Sequence, residues 1–156
     1  MFVKKEKCWY DACPKQRGGR QCNKKVLPCG ADDLDGPFRC EACNVEMEQC
    51  QRRYILGLNI LDHSGQTWAT AFNDEGEKLL NGMTADELNL IMQSDHAKFN
   101  DILQGIIMKP MQLTLRVKVE TVNDEQRVKA SIQSSEPIDF VRESKRLLEG
   151  IQGLLM

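Results

Sequence analysis

Histidine is almost missing from this 156-residue chain: only His63 and His96 occur, both far in sequence from the cysteines. That removes the usual partners for a catalytic metal and the side chain that most readily exchanges protons near neutral pH. Aromatic residues make up only 6%, so each one stands out. No apolar run approaches the ~18 residues that a membrane helix needs, and Met1–Lys7 has no hydrophobic signal core. P-loops, G-x-S-x-G elbows and H-x-E…P-C-x-x-C deaminase patterns are absent, as are repeats and low-complexity tracts. What remains is 41% apolar, carries a net charge of -2, and has the length of one domain with its own core. It has one excess, cysteine.

Seven cysteines stand at Cys8, Cys13, Cys22, Cys29, Cys40, Cys43 and Cys50, with none afterwards. An odd number cannot be fully paired, and a chain with no visible signal is expected in a reducing compartment, so metal is the first explanation. Cys40-Glu41-Ala42-Cys43 is a C-x2-C knuckle, whose tight turn aims two thiolates at one point, as tetrahedral zinc requires. Cys13 and Cys22 are the chosen second pair, giving C-x8-C, 17 residues, then C-x2-C. Cys29 is the rival of Cys22. The long first loop holds Arg17-Gly18-Gly19-Arg20, expected to be a flexible insertion. The surroundings (Pro14, Gly18, Gly19, Asn23, Pro28, Gly30, Gly36) are turn residues with little core, so the segment needs a metal to fold. Buried free thiols or a redox pair are the competing readings. An all-cysteine site is closed, so the zinc is expected to be structural.

Charge is uneven along the chain. Residues 1–30 carry eight basic side chains against Glu6 and Asp11; the eight include Lys4, Lys5, Lys7, Lys15, Lys24 and Lys25. Residues 31–50 carry Asp32, Asp33, Asp35, Glu41, Glu46 and Glu48 against Arg39. Phe2 to Tyr10 reads as a short strand. Tyr54–Ile60 and Thr67–Phe72 read as a hairpin turning at His63-Ser64-Gly65. Thr84-Ala85-Asp86-Glu87 is a capping box opening a helix through Leu88, Ile91 and Met92. A second helix carries Phe99, Ile102, Leu103 and Ile106, ending before Pro110. Leu113, Leu115, Val117 and Val119 alternate with polar residues and predict a strand with one apolar face. It turns at Asn123-Asp124-Glu125 into a partner through Val128, Ala130 and Ile132. Pro137 sits where a terminal helix can start, with Phe140, Val141, Leu147, Leu148, Ile151, Leu154 and Leu155 as its apolar stripe. That stripe either packs on its own domain or awaits partner helices.

The fold class expected from this order is mainly β with α: an OB-type barrel with an inserted four-cysteine zinc ribbon and a C-terminal helix. The expected divisions are a barrel domain at 1–137, with the ribbon at about 8–50 and a helical insert at about 84–108, and an oligomerisation helix at 138–156. Such barrels bind single-stranded nucleic acid by stacking bases on aromatics and meeting phosphates with Lys or Arg. Trp68 and Phe72, on one face of one strand, are the candidate stacking residues. Arg116, Lys118, Arg127 and Lys129 are the candidate basic partners. A core role for both aromatics and a solvated face for the basic residues are the competing readings.

Cys8-Trp9-Tyr10-Asp11-Ala12-Cys13-Pro14, Cys22-Asn23-Lys24-Lys25-Val26 and Phe38-Arg39-Cys40-Glu41-Ala42-Cys43 resemble the zinc ribbon of the replication protein A large subunit family, in its C-terminal DNA-binding domain. The likeness continues through Gln66–Phe72, Arg116–Thr121, Asn123-Asp124-Glu125 and the terminal helix. It implies a non-catalytic single-stranded-DNA-binding and assembly module acting in replication, repair and recombination in the nucleus. The implied zinc ligands are Cys13, Cys22, Cys40 and Cys43. The implied DNA-binding residues are Trp68 and Phe72, joined by Lys24, Lys25, Arg116, Lys118 and Arg127. The terminal helix is implied to join two smaller subunits of a heterotrimer, with no membrane and no small-molecule substrate as partner.

Three departures qualify the resemblance. The Arg17–Arg20 insertion lengthens the first knuckle and keeps Cys29 as a rival ligand. Val122 replaces an expected aromatic and removes one stacking contact. The upstream domains and part of the first strand are missing, which suggests a fragment or a short paralogue. A telomere- or meiosis-specific paralogue and a zinc-ribbon transcription factor are the alternative functions. A zinc enzyme is disfavoured by the histidine count.

Overall fold

The structure, a computed structural model, describes residues 2–3, 8–30, 37–122 and 125–155. Lys4, Lys5, Lys7, Asp32, Asp33, Asp35, Gly36 and the Asn123-Asp124 turn therefore lie outside the described residues, as does the side chain of Val122. The elements in chain order are β1 (Phe2–Val3), β2 (Trp9–Ala12), β3 (Gln16–Arg17), β4 (Arg20–Gln21), β5 (Leu27–Pro28), β6 (Phe38–Cys40), β7 (Val45–Met47), β8 (Gln51–Asp62) and β9 (Gly65–Phe72). Three helices follow, α1 (Asn73–Leu79), α2 (Ala85–Ser94) and α3 (His96–Gln104), then β10 (Met111–Val122), β11 (Glu125–Pro137) and α4 (Phe140–Leu154). The expectation of a mainly β chain with helices holds. No described helix is long and apolar enough to cross a membrane.

The main sheet runs β1-β8-β9-β11-β10, with β2 also paired to β8. All of its pairings are antiparallel except β9 with β11, where Ala69, Thr70 and Ala71 align in parallel with Ala130, Ser131 and Ile132. Period-two alternation gives the sheet an inner face. Tyr54, Leu56 and Leu58 of β8, Ala69 and Ala71 of β9, and Ala130 and Ile132 of β11 are buried. Leu79, Leu80, Leu88, Phe99 and Leu103 from the helices complete that core.

The capping box forms as expected: Thr84 accepts from the Glu87 backbone, and the Thr84 N–H donates to Glu87 Oε2 at 2.8 Å. The helices begin earlier than the capping box suggests, because α1 precedes it. Its sequence, Asn-Asp-Glu-Gly-Glu-Lys-Leu, has a glycine at its centre and no apolar periodicity, so propensity gives no signal. Packing supplies the reason for the glycine. A Cβ on Gly76 would lie 2.6 Å from Tyr54 Cβ, so only glycine lets α1 close on β8. Tyr54 then fixes both ends of the turn: its N–H donates to Asn73 Oδ1 at 3.2 Å and its hydroxyl to the Thr84 carbonyl at 2.9 Å.

The strand expected over Phe2–Tyr10 is described at β1 and β2, both paired to β8, and residues 4–7 between them lie outside the described residues. Three local expectations need correction. Pro137 does not open the last helix; it ends β11, and Asp139 caps α4 by accepting from the Val141 and Arg142 backbones. The Arg17–Arg20 insertion is a two-stranded hairpin, whose turn needs positive φ at both Gly18 (59°) and Gly19 (78°). The apolar face of β10 is only half covered. Leu113 and Leu115 pack on the core, whereas Val117 and Val119 are exposed with Val128 opposite, because the outer half of the hairpin extends beyond the helices and sheet below it.

Candidate metal centre and nucleic-acid interface

Backbone geometry brings four cysteines together. Cys13 follows β2, Cys22 follows β4, Cys40 ends β6 and Cys43 lies in the β6–β7 turn. The Cys22 N–H donates to the Lys15 carbonyl at 2.8 Å, so the β3–β4 hairpin closes between them and the long loop still delivers Cys22 beside Cys13. Each second cysteine is followed by an asparagine in the left-handed region, Asn23 (φ 53°) and Asn44 (φ 51°), which turns the chain sharply away. Arg17 donates to the Ala42 carbonyl at 3.0 Å and ties the hairpin to the second knuckle.

The sulfurs of Cys13, Cys22, Cys40 and Cys43 all lie within 4.8 Å of one another. Cys13 to Cys43 and Cys22 to Cys40 are each 3.9 Å apart. A tetrahedral ion with metal–sulfur bonds of about 2.3 Å has sulfur–sulfur edges of about 3.8 Å, so the donor set fits one such ion. Cys29, the rival ligand, is exposed and outside the group. The Cys22 hydrogen bond first, and burial next, push the Cys43 thiol up to about 12, and a bound cation would favour the thiolate form. Cys8 is pushed up to about 11 by burial, and Cys50 to about 12 by burial and then by Asp11. Neither is an activated thiol. Arg52 spans the junction with the main sheet, 3.6 Å from Asp11 of β2 and 3.2 Å from Asp86 in the first turn of α2.

On the outer face of the main sheet the alternation of β9 projects Trp68, Thr70 and Phe72 away from buried Ala69 and Ala71. Trp68 is 56% exposed and Phe72 48%, which excludes the core role for either ring. Cross-strand register adds neighbours: Asn59 opposite Trp68, Ile55 opposite Phe72, Ser131 beside Thr70, and Arg116 opposite Ser131. A groove of about 320 Å³ is lined by Thr70, Phe72, Arg116, Lys118, Lys129, Ser131 and Gln133. Lys129 pairs with Glu120 at 3.4 Å, and Arg127 with Glu125 at 3.1 Å, nearer the hairpin end. Lys24 and Lys25 are exposed on the cysteine segment, with Lys25 bridged to Ala12.

Thr70, Ser131, Gln133 and Asn59 belong to this face but escaped the sequence reading. Alternation along β9 could have exposed Thr70. The other three depend on strand pairing, which no single segment encodes.

On α4 none of the described residues is buried, and Phe140, Val141, Leu147, Leu148, Ile151, Leu154 and Leu155 are all exposed. Six of the seven fall into two rows of seven-residue spacing, 140/147/154 and 141/148/155, with Ile151 between the last two turns, the repeat of a helix that packs on other helices. The stripe does not fold back on the domain. A cleft of about 870 Å³ separates the polar flank (Arg142, Lys145, Arg146, Glu149) from Asp62, Met111 and Leu113.

The family model described as the replication factor-A C terminal domain matches residues 1–147. The chain is 39% identical over 155 residues to a replication protein A 70 kDa DNA-binding subunit of Arabidopsis thaliana, covering 98% of this chain and 18% of that protein. It is 40% identical over 149 residues to a 70 kDa DNA-binding subunit of the same complex from Oryza sativa subsp. japonica, covering 96% of this chain and 22% of the relative. It thus spans about a fifth of the length of the curated relatives it matches. A solved replication protein A heterotrimer bound to single-stranded DNA superposes with a TM-score of 0.81 at 31% identity, over 96% of this chain and 33% of that one. The chain belongs to the replication factor-A C terminal domain family.

Proposed function

We propose that the chain is a single-stranded-DNA-binding and heterotrimer-assembly module of a replication protein A-like complex, serving replication, repair and recombination in the nucleus, and not an enzyme. The observation that carries this is the outer face of β9, where exposed Phe72 lines a groove with Arg116, Lys118, Glu120 and Lys129, and exposed Trp68 stands on the same face of the strand four residues earlier. Stacked bases lie on Trp68 and Phe72, and the phosphates between them meet the lysines and the arginine. Thr70 and Ser131 are short enough to leave the groove open between the rings and the cations. The relatives named above are DNA-binding subunits, and the solved neighbour is a DNA-bound heterotrimer, which supports the same reading. An OB barrel accounts for the parallel β9–β11 pairing within an otherwise antiparallel sheet.

Cys13, Cys22, Cys40 and Cys43 would hold one zinc ion. Bound there, zinc supplies a four-point cross-link and no open coordination position, so its role is structural. The apolar rows of α4 pack against helices of two smaller subunits.

Affinity for single-stranded and double-stranded oligonucleotides, with metal content, on one preparation tests the reading. Single strands bind preferentially, with affinity falling as salt rises, and one zinc is found per chain. Equal affinity for the two forms would overturn the DNA assignment. Deleting residues 138–156 abolishes co-purification with the smaller subunits and leaves zinc at one per chain. A truncated chain that still co-purifies would overturn the assembly role of α4.

A further inference from the structure

The helices carry a second open feature on a surface of opposite charge to the DNA face. Between the end of α1, α2 and α3 lies a groove of about 740 Å³. Its floor is aliphatic: Leu79, Leu80 and Ile106 are nearly inaccessible, and Met83, Ile91 and Ile102 are half-buried. Leu90 stands on the rim, 63% exposed. Gly82 and Gly105 line the groove without side chains. A Cβ on Gly82 would meet nothing within 4 Å, so backbone can approach closely there.

Charge narrows the occupant. Glu87 and Asp101 are on the groove wall, with Lys109 the one cation among the lining residues. Glu87 stays ionised, because the Thr84 backbone and then its hydroxyl hold the carboxyl below its usual range. An acidic rim repels the phosphates of nucleic acid and of anionic membranes. A groove walled by helices presents no strand edge for an extended peptide to join, but it accepts side chains at i, i+3, i+4 and i+7 spacing.

We infer that the groove between α1, α2 and α3 is a docking site for a basic amphipathic helix of a partner protein. Aliphatic side chains of that helix fill the floor, and its flanking lysines or arginines face Glu87 and Asp101. The site is separate from the aromatic groove of β9 and from the apolar rows of α4, and it stands whether or not the DNA assignment does.

The probe is a 16-residue helical peptide with leucines at i, i+3, i+4 and i+7 spacing and lysines elsewhere, compared with one in which every lysine is glutamate. Labelled peptide is titrated with the full chain, and backbone amide shifts locate the contact. The lysine peptide binds at least tenfold tighter than the glutamate one, with shifts confined to residues 79–109. Leu90→Lys weakens it at least tenfold; because Leu90 is exposed, that variant keeps its fold and its oligonucleotide affinity. Asp101→Lys weakens it about threefold or more. Equal binding of the two peptides, shifts centred on α4, or full binding by Leu90→Lys would overturn the inference. So would self-association of the chain that Leu90→Lys abolishes, since the occupant would then be a second copy.

Discussion

The cysteine segment and the sheet-and-helix body share one sheet through the β2–β8 pairing, yet different physics holds each together. Among the described residues, the buried cluster of the cysteine segment is Cys13, Val26, Phe38, Cys40 and Met47, and two of those five are candidate metal ligands. The body's cluster holds fifteen buried residues, from three strands of the main sheet, the helices and the turns after them, joined by Cys8 of the cysteine segment. Apolar burial at about 25 cal/mol per Å² can support the body unaided, but three apolar side chains cannot support the cysteine segment. One region therefore has an intrinsic fold and the other a conditional one. Beside the β2–β8 pairing, Asp11–Arg52–Asp86 and the edge-to-face contact of Trp9 with Phe99, centroids 6.3 Å apart, are among the points where the two regions couple.

The largest effect is expected when a metal ligand is taken away. Structural zinc sites supply about 10–16 kcal/mol of apparent binding energy that is also folding energy. Cys40→Ser is therefore expected to lose the metal and unfold the cysteine segment. Hydrogen exchange should show residues 8–50 unprotected while Leu56 and Leu58 keep their protection. If protection survives in the segment, its fold is intrinsic after all and the division between the regions fails. Leu88→Ala tests the other side. Leu88 is fully buried, and its truncation should cost about 2–5 kcal/mol of body stability in denaturant titrations with zinc stoichiometry unchanged. A matching loss of zinc would mean that Arg52 and Trp9 weld both regions into one cooperative unit.

Trp68→Ala separates stability from function within the body itself. Trp68 is 56% exposed, so melting should hardly move. Single-strand affinity, measured by titration, should fall by about 1–3 kcal/mol through lost stacking. Unchanged affinity would remove Trp68 from the interface.

Legibility in the sequence follows the range of the interaction that decides each feature. The Cys13/Cys22/Cys40/Cys43 group, the Thr84 capping box and the alternation of β9 and β10 are written in short spacings, and all were readable. Gly76 and α1 were not, because the glycine is explained only by Tyr54, 22 positions earlier. The exposure of Val117 and Val119 was hidden for a similar reason: alternation tells which face a residue takes, not how far the opposing layer extends. Beyond the register shift at Thr114/Leu115, Ser135 faces inward and donates to Glu75 at 2.6 Å, a polar residue that pattern alone would send to solvent. The groove between the helices is a gap between elements, and no segment encodes a gap.

The smallest expected effect separates the two regions by pH. Thr84→Ala removes the side-chain half of the α2 cap and should cost about 1 kcal/mol near neutral pH. Glu87 accepts from the Thr84 backbone and hydroxyl, which hold its carboxyl below the usual carboxylate range. A carboxyl held low in the folded state contributes stability above its unfolded pKa and loses it as pH falls through the folded value. The gap between parent and Thr84→Ala should therefore narrow in acid, read as amide protection along α2. With the proposed zinc bound, the cysteine segment is also expected to weaken in acid, but by a different route: protons would compete with the metal for four thiolates, and Thr84→Ala would leave that competition untouched. A gap that stays constant down through the carboxylate range would show that the Thr84 hydroxyl's contact with Glu87 contributes nothing to the cap. A gap that closes together with metal release would show instead that α2 stability is borrowed from the cysteine segment through Asp86 and Arg52.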